Sequence, residues 1–390
     1  MEYIAQIFTG SWHSPACSPK AVMEKLQKIL EQVNLKAVIM GWNLNGSLCA
    51  SVGKLLREKG IRFYLWLPVF SEIGNAVPME PAVNLFGQSG TFHFGTGEFY
   101  QYYCPTSPEN LRAVVSLYDT SFSDCGFDGV FLDKVRGPSF IAGAEDVFGC
   151  CCVRCRSHLA KRGASSRVLS DFIKEYGLPR ALSLRSFDPQ QGFTFLSDEV
   201  ERFFDARTEI YTENILLLTE MFRKKGLSVG LSLFPPCLSR LVGQDTPVLC
   251  DAADFISPML YRRTDGSGGC TYELQAFRNA AAKNIAAYNM LNSIPIAEDD
   301  FIRQQMDVFT PEQKKKVFPG VELTFHKMTA RTDPAYVSGS LRLLSRCGLH
   351  TAVLAWDLMQ APKENLAAAA RIQAEHSGEH RHTAAGEEKE

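Results

Sequence analysis

Short β-branched or aromatic runs alternate with helical stretches along this chain, and the alternation is kept eight times in strict order. Tyr3–Phe8, Lys36–Gly41, Ile61–Phe70, Phe127–Asp133, Leu227–Phe234, Asp254–Tyr261, Val321–Phe325 and His350–Trp356 read as strands. Each is followed by a stretch of helical periodicity. The predicted helices begin at Ser18 or Pro19 and run through about Val33, then span Ser47–Gly60, start near Pro108 behind the N-cap candidate Ser107, and span Asp198–Gly226, Thr271–Met290, Pro334–Gly348 and Asn365–Glu375. Strands joined by helical crossovers must run parallel, and eight is the number at which such a sheet closes. The expected fold is therefore α/β, a (β/α)8 TIM barrel. The competing architecture is an open doubly wound sheet, but no Gly-rich phosphate loop follows the first strand.

Two insertions interrupt the repeat. One runs from Ser71 to Ser107 after strand three and is rich in Gly, Phe and Tyr; the other, about 137–197, follows strand four and carries most of a cysteine cluster. The expected domain organisation is one catalytic barrel over 1–376 and a polar, disordered tail over 377–390. With 390 residues and 45% apolar content the chain can bury a large core.

A formal net charge of −2 without a basic cluster argues against nucleic acid as a partner. No apolar run is long enough to cross a membrane, and the first residues do not form a signal peptide. Twelve cysteines in such a chain suit thiols or metal ligands better than a disulfide framework, so the expected compartment is the cytoplasm. No organic cofactor is expected, and a homo-oligomer is compatible with the composition.

In barrels of this kind the chemistry sits at the C-terminal strand ends. Reading those ends gives Trp12 and His13, Trp42, Trp66 and Glu72, Asp133 and Arg136, Asp245, Tyr261 and Arg262, Glu322 and His326, and Trp356 with Asp357. Indole and phenol faces stack on the apolar faces of pyranose rings, while carboxylates and arginines bind hydroxyls. A pair of carboxyl groups flanking a glycosidic bond can hydrolyse it, one as proton donor and the other as nucleophile or base. Asp133 ends the apolar strand V-F-L-D and is the first catalytic candidate; Glu322 is its expected partner. Asp357, Glu72 and Asp245 compete for that second role. Trp12, Trp42, Trp66, Glu72, Arg136, Asp245, Tyr261, Arg262, Trp356 and Asp357 are the expected substrate contacts. The partner so implied is an oligosaccharide or glycoconjugate. Asp128, at the entry of strand four, reads as structural, and His13 and His326 as rim histidines.

Cys150, Cys152 and Cys155 form a C-x-C-x-x-C set, and Cys104 at the end of the preceding insertion supplies a fourth thiol. Four thiolates suit one tetrahedral, structural Zn²⁺, which would staple two long loops expected to lack a core. Free buried thiols, and Cys151 as the fourth ligand, are the alternatives.

The stretches C-P-T-S-P-E-N-L, G-F-D-G-V-F-L-D-K-V-R-G-P-S-F and C-C-V-R-C-R-S-H-L, with S-P-M-L-Y-R at strand six, resemble a group of barrel proteins classed as hypothetical glycoside hydrolases. The cysteine arrangement is similar to the zinc site of family 42 β-galactosidases. The resemblance implies a TIM barrel with a Cys-rich insertion after strand four and a catalytic role for Asp133. The chain departs from better-known patterns. It lacks the Asn-Glu pair that ends strand four in family 42, and Val135 stands where the chitinase motif carries its terminal Glu. A non-catalytic carbohydrate-binding barrel is therefore the alternative function. A metal-dependent hydrolase ranks last, because H-E-x-x-H is missing and no H-x-H stands at a strand end.

Overall fold

In a computed structural model, which describes residues 1–89, 91–93 and 99–384, eight strands form one parallel sheet. They are β1 (Glu2–Phe8), β2 (Leu35–Gly41), β3 (Arg62–Pro68), β4 (Gly129–Asp133), β5 (Ser228–Leu233), β6 (Phe255–Pro258), β7 (Gly320–Glu322) and β8 (Thr351–Ala355). The hydrogen-bonded order is β6-β5-β4-β3-β2-β1-β8-β7. Parallel bridges Ile256–Val317 and Met259–Gly320 join its two ends. The result is the (β/α)8 barrel. Helices α1 (Pro19–Gln32), α2 (Gly46–Glu58), α3 (Pro108–Ser121), α4 (Asp198–Arg223), α5 (Thr246–Ala252), α6 (Cys270–Ala280), α7 (Pro334–Arg346) and α8 (Lys363–Ala384) follow the strands in turn.

The strands are apolar on both faces because both are buried. Period-two alternation splits them into two layers. Leu65, Leu67, Val130 and Leu132 pack outward under the helices, whereas Tyr64, Trp66 and Phe131 fill the barrel with Ile4, Ile39, Phe255, Tyr261 and Val353. Asp133 lies two residues after Phe131 and shares its inward phase, which delivers its carboxyl to the mouth. Two glycines make room there. A Cβ on Gly41 would lie 2.3 Å from the Trp66 carbonyl oxygen, and one on Gly320 would lie 2.6 Å from the Tyr261 ring.

Several helix starts follow from local chemistry. Ser18 and Ser107 accept hydrogen bonds from Ala21 N and Asn110 N, each ahead of a proline in the first turn. The stretch 271–290, expected as one helix, is broken. Asn284 caps a second helix, Ile285–Asn292, and its amide also bonds Pro179 O and Ser183 Oγ. That tertiary anchor outweighs helical propensity. The last helix, Lys363–Ala384, takes in residues 377–384, which were expected to be disordered; 385–390 lie outside the described residues.

The insertion after β4 does not lack a core. It contains helices Val153–Lys161 and Ser166–Tyr176 and a hairpin, Leu184–Asp188 with Gly192–Phe195. Phe140, Phe148, Leu159, Leu169, Phe193 and Phe195 bury against Phe203 and Phe204 of α4 and Phe277 of α6. The Phe140 and Phe277 rings stack at 4.0 Å. Among the described residues no helix is long and apolar enough to cross a membrane.

Candidate active site at the barrel mouth

Asp133 ends β4 opposite Pro68 of β3 and is 8% exposed. Its Oδ2 accepts the Trp66 Nε1–H at 2.8 Å, and its Oδ1 accepts the backbone N–H of Lys134 at 2.7 Å. The carboxyl is thus fixed in direction while its strand end opens on the mouth. Asp128, at the other end of this segment, accepts the Phe63 backbone N–H at 2.8 Å and is structural, as expected.

All four tryptophans of the chain gather here. Trp42 meets Trp66 edge to face at 5.6 Å and stacks on Trp12 at 6.3 Å. Trp12 is buried and donates to Glu72 O at 3.0 Å, so it supports the wall from behind. Trp42 and Trp356 are partly exposed, and their indole N–H groups are buried without a partner. A buried donor without an acceptor costs on the order of 1–3 kcal/mol. Two of them at one mouth mark places where a bound hydroxyl or water would be accepted as a partner.

Among the described residues two non-glycine residues have left-handed backbones, Glu72 (φ 66°) and Lys134 (φ 50°). They face each other across the mouth, with Lys134 Nζ 3.9 Å from Glu72 Oε1. Lys134 Nζ also lies 3.4 Å from the centroid of Tyr100 and 5.1 Å from that of Trp42. Such backbone conformations cost energy and cluster at functional sites. Sequence reading missed Lys134 and Tyr100. The adjacency of Lys134 to Asp133 at a strand end was the available signal.

Other expected site residues are held elsewhere. Glu322 is fully buried and accepts from Arg262 N at 3.0 Å, Arg263 N at 2.9 Å, Thr264 Oγ1 at 2.8 Å and the Tyr336 hydroxyl. Each of its two oxygens accepts two of these bonds, so it anchors the loop after β6. Asp357, 2% exposed, ties the Phe8 and Met359 backbones and the Gln360 amide together. Burial pushes its carboxyl above the usual range. Asp245 caps α5 through Val248 N. Arg262 points outward to Ala297 O, Asp299 and Ser340. His13 and His326 are exposed on the rim.

Tyr261 and Arg136 are both buried beyond the ends of β6 and β4. Tyr261 is buried, and its phenol is pushed well above its ordinary value by burial first and then by the negative charges of Asp133 and Glu322. Arg136 spans three loops, donating to Tyr102 OH at 2.9 Å, Gly137 O at 3.2 Å and Ser267 Oγ at 2.6 Å.

Behind this wall the sulfurs of Cys104, Cys150, Cys152 and Cys155 lie within 4.8 Å of one another and could hold a metal ion. Cys104 Sγ is 3.6 Å from both Cys152 Sγ and Cys155 Sγ. Tetrahedral zinc, with Zn–S of about 2.3 Å, sets sulfur separations of about 3.8 Å. Backbone N–H groups of Val83 and Cys155 point at Cys150 Sγ and Cys152 Sγ, each at 3.4 Å, as thiolates require. The donor set therefore fits, and it leaves no open coordination position. Cys151 turns away, to Phe148 O.

No protein-family model matches the chain, and no curated protein matches it in sequence. Solved structures do. The glycoside hydrolase domain of PgaB (BpsB) from Bordetella bronchiseptica aligns with a TM-score of 0.59 at 12% identity, over 95% of this chain and 98% of that one. A chitinase from Chromobacterium violaceum aligns with a TM-score of 0.45 at 10% identity, over 96% and 99%. The spore cortex-lytic enzyme SleL of Bacillus megaterium gives 0.45 at 9% identity, over 95% and 73%. At 12% identity the likeness to the PgaB domain establishes a shared barrel fold and no more.

Proposed function

We propose that the chain is a glycoside hydrolase acting on an oligosaccharide or glycoconjugate from the barrel mouth. The observation that carries this is Asp133: an inward carboxyl at the end of β4, aimed by Trp66 and surrounded by indoles, two of which offer unpartnered N–H groups. The likeness in fold to a domain named as a glycoside hydrolase supports it.

Asp133 is the carboxylate that would face positive charge developing at the anomeric carbon. Glu72 replaces Glu322 as the second carboxyl group, because Glu322, Asp357 and Asp245 are committed to the chain's own donors. Its side chain is 14% exposed at the mouth. Proton transfer to the leaving oxygen would run through the Glu72–Lys134 pair, the ammonium giving the proton and the Glu72 carboxylate holding it in place. Trp42, Trp66 and Trp356 would pack on sugar faces, and Tyr261 and Arg136 would shape the pocket floor. The tetrathiolate group would hold a structural Zn²⁺ without taking part in the chemistry. A thiol-rich metal site suits a reducing compartment, so the proposal includes the cytoplasm.

Val135, buried where chitinases carry a glutamate, favours a second reading, a barrel that binds sugar without cleaving it. A panel of oligosaccharides and aryl glycosides, screened for product and by calorimetry, separates the two. Turnover supports the hydrolase, and binding without product supports the binding barrel.

A further inference from the structure

Tyr100, Tyr102 and Cys104 alternate along an extended segment, so their side chains share one face. That face meets the sulfur group. Tyr100, Tyr102 and Cys104 bury in one cluster with Cys150 and Cys155. The same two tyrosines touch the two cations that follow Asp133. The Lys134 ammonium sits 3.4 Å from the Tyr100 ring centroid, and Arg136 donates to the Tyr102 hydroxyl at 2.9 Å. The segment is also tied to the end of β3, where Tyr103 N donates to Phe70 O at 2.9 Å and Phe70 N donates to Lys134 O at 3.1 Å.

We infer that the four-cysteine metal group sets the geometry of the mouth, by fixing the tyrosine strand that holds Lys134 and Arg136 beside Asp133. This rests on the metal reading of the cysteines and not on the glycosidase reading. Lys134 and Arg136 are positioning residues here. Tyr100 holds the Lys134 ammonium by cation–π attraction, and Tyr102 pairs with the Arg136 fork. Arg136 then carries the constraint to Ser267 on the loop after β6. Cys104 reaches its partners from the insertion after β3, whereas Cys150, Cys152 and Cys155 come from the insertion after β4. A metal bound by all four would lock two insertions whose contact decides where both cations lie. The hydrophobic core of the second insertion would survive metal loss, because its aromatic packing on α4 and α6 is separate from the sulfurs.

The mouth reports on itself, since it contains every tryptophan in the chain. The experiment uses the full chain with zinc as probe. Zinc content is measured by elemental analysis, the metal is removed by a chelator and restored, and tryptophan emission is followed. A Tyr100→Leu/Tyr102→Phe double variant is treated in parallel, and hydrogen exchange is compared for peptides covering 129–137 and 351–355. The expected result is one zinc per chain, a reversible emission change on its removal, a several-fold smaller change in the double variant, and exchange that rises in 129–137 but not in 351–355. Failure to bind zinc would overturn both the metal reading and this coupling. Zinc binding with unchanged emission, an equal response in the double variant, or exchange rising uniformly would overturn the coupling and leave the glycosidase reading untouched.

Discussion

The Trp66 indole donates its Nε1–H to Asp133 Oδ2 at 2.8 Å from the neighbouring strand. A hydrogen bond to a charged group contributes about 1.5–3 kcal/mol, and here it also fixes the direction of the carboxyl. Trp66→Phe keeps a ring in the barrel but removes the donor. Turnover on an identified glycan should fall by about 10–100-fold, mostly in kcat, with the secondary structure retained. Steady-state kinetics with circular dichroism checks this, and an effect confined to KM would contradict the positioning role.

Glu322 makes a different prediction from the one its sequence position suggested. Two backbone donors, the Thr264 hydroxyl and the Tyr336 hydroxyl converge on it. Glu322→Gln sets an amide against those donors and should cost about 2–4 kcal/mol of stability. Denaturant unfolding measures it. A variant of wild-type stability with abolished turnover would restore Glu322 as the catalytic partner.

Gly320 lies against Tyr261, and an alanine Cβ would come 2.6 Å from its ring. Gly320→Ala should therefore destabilise the chain by about 1–3 kcal/mol through overpacking. Thermal unfolding reads this directly, and an unchanged midpoint would mean that Tyr261 is free to move.

Asp357 supplies a pH dependence. Burial raises its carboxyl above the ordinary value of 3.8, against partial relief from Gln360 and the Phe8 and Met359 backbones. The folded chain therefore holds this proton to higher pH than the unfolded chain does. The associated stability is present below about pH 4 and is lost as pH rises through the raised value. The stability of wild type minus that of Asp357→Asn should decline across that interval in denaturation series. A difference growing in favour of wild type with pH would contradict it.

Much of the barrel was legible in the sequence because buried parallel strands are apolar on both faces and helices declare their caps. Ser107 before Pro108, and Asp133 closing V-F-L-D, were both readable on these grounds. What escaped was set by tertiary contacts. Glu322 is defined by Arg262, Arg263, Thr264 and Tyr336, whose convergence no local pattern announces. Lys134 gains its place from a left-handed backbone and from Tyr100, 34 positions earlier in the numbering. The cysteine group was visible because three of its four thiols, Cys150, Cys152 and Cys155, fall within six residues, but the core beneath the second insertion was not. That core is built from phenylalanines scattered over the insertion, α4 and α6.

The catalytic role of Asp133 is tested most directly by the turnover of Asp133→Asn on whichever panel glycan the wild-type chain cleaves, read beside its thermal midpoint. Asp133→Asn should lose about 10²–10⁴-fold in kcat at a midpoint close to wild type. Undiminished turnover by a folded Asp133→Asn chain would contradict it.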